Sequence, residues 1–134
     1  MMNSKRAWIY VRTGPRTGAN QRLDEQKVWL KDVARDKGYA IAGISEDITD
    51  SAIYPRAGLD AMCAAAQVGK FDYLMVTSVD RLGANLFKMQ NLINILDEAG
   101  IDVFAADEYG FLDISDPNSP FMQVHGVMEF VMQQ

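Results

Sequence analysis

Three arginines are the residues of this chain best placed for chemistry. Arg12 and Arg81 each stand just after a short apolar run, and Arg56 opens the helix-like stretch that follows another. A guanidinium fork meets two oxygens of a phosphodiester or other oxyanion at once, and it is always charged. Asp80 stands beside Arg81, where it can orient the guanidinium or take part in proton transfer. Thr13, Thr17 and Ser51 offer hydroxyls near the same run ends, and Asp47 and Asp50 offer carboxylates. Plainer roles exist for each. Surface charge is the default state of an arginine. Asp is a favoured helix N-cap, which is the plain role for Asp80. Asp47 and Ser51 are common turn formers. Gly14-Pro15-Arg16-Thr17-Gly18 has the look of a phosphate loop, but no Gly-Lys-Ser/Thr follows, so nucleotide binding through it is not expected.

The elements that must position these residues alternate in type. Ala7–Val11, Tyr39–Ile44, Phe71–Val76 and Ile101–Ala105 are short, apolar and rich in β-branched and aromatic residues, as buried strands are. Between them lie stretches with apolar residues at helical spacing. Leu23, Leu30, Val33 and Ala34 mark the first, ending at Gly38. Leu59, Met62, Cys63 and Ala66 mark the second, and Leu86, Met89, Ile93 and Leu96 the third. Glu46 to Ser51 is expected as an acidic turn, and Phe121, Val124, Met128 and Val131 as a last amphipathic helix. The order predicts an α/β fold: a single three-layer domain around a mostly parallel sheet of four to five strands. Ligands of such sheets bind beyond the carboxyl ends of the strands, which is where Arg12, Arg56 and Arg81 fall.

Composition excludes several classes. The chain has 134 residues, with 49% apolar and 23% charged side chains, an ordinary globular balance. One cysteine, Cys63, excludes a disulfide framework and a multi-cysteine metal site. One histidine, His125, excludes a histidine cluster, so neither metal nor cofactor is expected. No apolar run approaches the ~20 residues of a membrane span, and no signal peptide is evident, so a cytoplasmic location without membrane contact is expected. The net charge of −5 argues at first against nucleic acid. Its distribution qualifies that. Residues 1–37 carry nine basic and four acidic groups, a local excess of five positive charges within an acidic whole.

The motifs carry a family resemblance. Tyr10-Val11-Arg12-Thr13-Gly14 resembles the first strand of the resolvase/invertase (serine site-specific recombinase) N-terminal catalytic domain, which reads Tyr-x-Arg-Val-Ser. The family's following Gln-x-Leu-x-x-Gln is here Gln21-Arg22-Leu23-Asp24-Glu25-Gln26. Asp47 to Ser51 resembles its Asp-x-x-x-Ser turn, and Arg56-Ala57-Gly58-Leu59 its Arg-Pro-Gly-Leu. Val79-Asp80-Arg81-Leu82-Gly83, after a strand, resembles its Leu-Asp-Arg-Leu-x-Arg. The resemblance spans nearly the whole chain, in order.

It implies DNA strand cleavage and rejoining through a phosphoserine link, without metal or nucleotide. Arg12, Arg56, Asp80 and Arg81 would be the catalytic set, with Arg12, Ser51, Arg56 and Arg81 on the phosphate. DNA would be the partner, and the full-length protein a homodimer or higher oligomer.

Two departures cut against activity. The nucleophile position is Gly14, and the second arginine of the last motif is Ala84. Thr13 should point away from Arg12, because strand side chains alternate. Thr17 is the candidate substitute nucleophile. Phe121 to Gln134 is expected to be a helix cut short, so that residues 1–134 end within the helix leading to a dimerisation and DNA-binding part, and DNA contact would run through that missing part. The resulting expectation is a recombinase catalytic domain that does not cleave. A non-enzymatic module pairing with an intact recombinase, and an unrelated α/β anion-binding domain, are the alternatives.

Overall fold

The structure, a computed structural model, describes residues 5–50, 56–78, 81, 86–106 and 110–112. Ser51, Asp80, Ala84, His125 and the expected last helix lie outside the described residues.

Strand β1 (Arg6–Thr13) is central and almost wholly buried, as its unbroken apolar run requires. Its side chains alternate. Ala7, Ile9 and Val11 pack with Leu23, Leu30, Ala34 and Met75 in one core, against helix α1 (Ala19–Lys37). Trp8 and Tyr10 face the other core. There they meet Leu59 and Met62 of α2 (Ala57–Gln67) and Leu92, Ile93 and Leu96 of α3 (Leu86–Glu98). Burying one such leucine or isoleucine contributes roughly 1.5–3 kcal/mol.

Strands β2 (Ala40–Ile48), β3 (Tyr73–Val76) and β4 (Asp102–Ala105) join β1 in parallel, and the short β5 (Gly110–Leu112) runs antiparallel on β4. The order β2-β1-β3-β4-β5 leaves β2 at one edge. This is the expected α/β domain with a mostly parallel five-stranded sheet. Gly38 ends α1 with φ 77°, the left-handed cap expected of it.

One expectation is corrected. The acidic stretch from Glu46 is not a turn: β2 continues through Ile48, with Asp47 opposite Arg12 in the β1–β2 register. Asp47 can sit buried in a strand because its carboxylate finds partners on two other elements.

Candidate functional site

The base of the site is a buried polar network. Asp47 accepts from the Gly58 and Leu59 amides at 2.8 and 2.9 Å, so a carboxylate on β2 caps the start of α2 from outside it. The Tyr10 hydroxyl donates to Asp47 Oδ2 at 2.7 Å, and Arg56 Nε lies 3.8 Å from the same oxygen. Arg56 Nη2 donates to the Tyr10 hydroxyl and to the Arg81 carbonyl. The Arg56 guanidinium lies 5.6 Å from the Tyr10 ring centroid. At 1% exposure Arg56 is inside the protein, below the surface that a ligand would touch. Burial pushes the Tyr10 phenol well above its ordinary range, with Arg56 working against the rise.

Arg12 lies above this network at the end of β1. Its backbone is held by Gln26 of α1, whose Nε2 donates to the Arg12 carbonyl at 3.0 Å while Oε1 accepts from the Arg12 amide at 3.4 Å. Its Nη1 donates to the Thr49 carbonyl at 2.7 Å. The buried Nε–H has no hydrogen-bond partner among the described residues, although the residue is only 8% exposed. Burial lowers the Arg12 pKa, and the nearby charges of Arg56 and Arg81 lower it further. A buried donor without an acceptor, repelled by two cations, is a place where an anion is stabilised on three counts. Arg81 is half-buried, and its Nε donates to Thr77 Oγ1 at 3.2 Å. The chain thus brings Arg12, Arg56 and Arg81 together at the carboxyl ends of the strands.

Gly14 follows β1, and the loop after it is tied down by one residue. Arg22 Nε donates to Thr13 Oγ1 at 2.8 Å, and Nη1 to the Thr17 carbonyl at 2.8 Å. Its Nη2 donates to the carbonyls of Gly14 and Arg16 at 3.2 and 3.3 Å. Thr13 therefore faces α1, as strand alternation requires, and Thr17 is exposed on the loop. The Thr13 hydroxyl is engaged by Arg22 on the α1 side of the sheet, away from Arg12.

Sequence reasoning missed the supports. Gln26 had a signal: a polar residue between Leu23 and Leu30 on the inward stripe of a helix needs a buried partner. Tyr10 shares the face of Trp8, and its position does not reveal that its hydroxyl bridges Asp47 and Arg56. Nothing in the sequence marks Arg22 as the clamp of the loop. Among the described residues, no three His, Cys, Asp or Glu side chains are grouped to hold a metal, and no helix is long and apolar enough to cross a membrane.

The domain is thus a mostly parallel α/β sheet with arginines gathered at its carboxyl edge. The family model described as the resolvase N-terminal domain matches residues 7–131, and the chain belongs to that family. It is a site-specific recombinase catalytic domain. Solved structures share the fold. The N-terminal catalytic domain of TP901-1 integrase is 20% identical, with 96% of this chain and 95% of that chain covered and a TM-score of 0.72. A resolvase family site-specific recombinase from Streptococcus pneumoniae is 19% identical, covering 97% and 87%, with a TM-score of 0.73. The C-terminal catalytic domain of ISC1926 TnpA, an IS607-like serine recombinase, is 23% identical, covering 78% and 71%, with a TM-score of 0.69. No curated protein matches the chain significantly.

Proposed function

We propose that this domain holds a DNA phosphate between Arg12 and Arg81 and does not cleave it. The observation that carries this reading is the buried, unpartnered Arg12 Nε–H beside a strand end occupied by Gly14. Arg12 and Arg81 supply the donors. Arg56 is a positioning residue, holding the Arg81 backbone and keeping positive charge beneath the phosphate. Asp80 would orient Arg81, and Ser51 would add a donor at the rim. An alcohol nucleophile is absent where the family has one, and without it the cations alone do not break a phosphodiester at a useful rate. Neither metal nor cofactor enters the reading. A second copy, or an intact recombinase, is the protein partner it supports, in the cytoplasm.

The test has two arms. Inorganic phosphate or a short DNA duplex should raise the melting temperature of the protein, and Arg12→Gln should abolish most of that rise. Supercoiled DNA incubated with the protein and then denatured should carry no covalent adduct. An adduct that disappears with Thr17→Ala would overturn the non-cleaving reading.

A further inference from the structure

Beside the phosphate site, on the α1 side of the sheet, lies a cleft of about 360 Å³. Thr13, Arg16, Arg22, Glu25, Trp29 and Arg81 line it. That volume is at the small end for ligand sites and suits one nucleotide unit better than the edge of a duplex. We propose that this cleft takes a single unpaired nucleotide of a DNA strand, its base stacked on Trp29 and its phosphate on Arg16. The inference rests on the DNA-phosphate reading above.

Four observations point there. First, three guanidinium groups face one carboxylate, Glu25, so the wall is positive. Second, the cations divide their work. Every nitrogen of Arg22 is committed to the loop, so it contributes charge and little else. The Arg16 guanidinium is exposed and has no hydrogen-bond partner among the described residues, so it is the cation on this wall that a ligand can reach. It lies 3.6–3.8 Å from where a Cβ on Gly14 would be, so it occupies the approach to the strand end. Third, Trp29 is 43% exposed and belongs to neither core. It stands seven residues beyond Arg22 and three beyond Gln26, on the same stripe of α1, so its indole overhangs the cleft. An exposed indole next to arginines is the combination that binds single-stranded nucleic acid. Fourth, Arg81 borders both the cleft and the phosphate site, so a strand can run from one to the other.

The ligand must be unpaired, since a base within a duplex has both faces covered by its neighbours. Glu25 opposes the phosphate and limits affinity.

The experiment measures binding of a fluorescent oligothymidylate of about ten nucleotides by anisotropy, with a blunt duplex of equal length alongside. The intact protein should bind the single strand more tightly than the duplex. Trp29→Ala should weaken single-strand binding roughly tenfold or more, and Trp29→Phe should retain most of it. Arg16→Ala should weaken it and flatten its salt dependence, while Glu25→Gln should tighten it. Trp29 and Arg16 are exposed, so circular dichroism should find all variants folded. No binding below about 1 mM, or equal binding by the intact protein and Trp29→Ala, would overturn the proposal. So would inorganic phosphate displacing the strand equally from every variant, which would mean that backbone charge alone is bound. Arg12→Gln separates the two readings. Loss of phosphate and duplex binding in Arg12→Gln, with single-strand binding indifferent to Trp29→Ala, sinks this inference alone. Indifference of phosphate and duplex binding to Arg12→Gln sinks the reading beneath it.

Discussion

The Tyr10 hydroxyl donates to Asp47 Oδ2 at 2.7 Å across two adjacent parallel strands, and Arg56 closes the triangle from the start of α2. Three elements meet in this group, so its loss is felt by the fold as well as by the site. Tyr10→Phe should destabilise the protein by about 1–3 kcal/mol, because it strands one Arg56 donor. Asp47→Ala should cost more, about 3–5 kcal/mol, because it leaves Arg56 charged and buried without its carboxylate. Urea unfolding measures both. A smaller loss for Asp47→Ala than for Tyr10→Phe would contradict the network.

Two glycines should answer oppositely to alanine. A Cβ on Gly58 would lie 2.3 Å from the Glu46 carbonyl oxygen, which is backbone of β2 and cannot turn aside. Gly58→Ala should therefore destabilise by at least 1–3 kcal/mol, on the order of an overpacked core. At Gly14 the nearest atom belongs to the exposed Arg16 guanidinium, 3.6 Å away, and φ is not positive. Gly14→Ala should be neutral, or stabilising by about 0.4–1 kcal/mol through the unfolded chain. Thermal melts of the two variants side by side settle the contrast.

Arg22→Ala removes four hydrogen bonds that tie residues 13–17 to α1. Amide exchange in that loop should accelerate by about tenfold or more, while exchange in β3 and β4 stays unchanged. Uniform acceleration across the sheet would mean that Arg22 supports the whole fold and not the loop.

Asp72 tests electrostatics at the opposite end of the sheet. Arg6 donates to it from its backbone amide at 3.1 Å and from its guanidinium Nε and Nη2 at 3.2 and 3.1 Å. The hydrogen bonds hold the Asp72 carboxyl below its ordinary range. A lowered folded pKa stabilises above the unfolded value, and that stability is lost as pH falls through the folded one. Below about pH 4, the intact protein should lose stability more steeply than Asp72→Asn. Both side chains are nearly half exposed, so the difference should be small and should shrink with salt.

The sequence made much of this legible, for physical reasons. A strand buried on both faces must be apolar throughout, and Ala7 to Val11 is. The stripe of Leu23, Leu30 and Ala34 could only be a helix on that strand. Arg12, Arg56 and Arg81 were readable as a group because ligands of parallel sheets gather at one edge. The depth of Arg56 was not readable, since burial of a charge depends on partners distant in sequence, Tyr10 and Asp47. The acidic run after Ile44 misled for the same reason. Local propensity favours a turn there, and tertiary hydrogen bonds to Asp47 override it. Strand β5 has three residues, too few to show a period.

Gly14 leaves the end of β1 open to a side chain. Its backbone does not adopt a conformation reserved for glycine, and the space for a side chain is open. Gln26 braces the strand end that precedes Gly14, and Arg12 stands beside it. A single substitution at position 14 can therefore place a side chain at the strand end without altering the architecture around it.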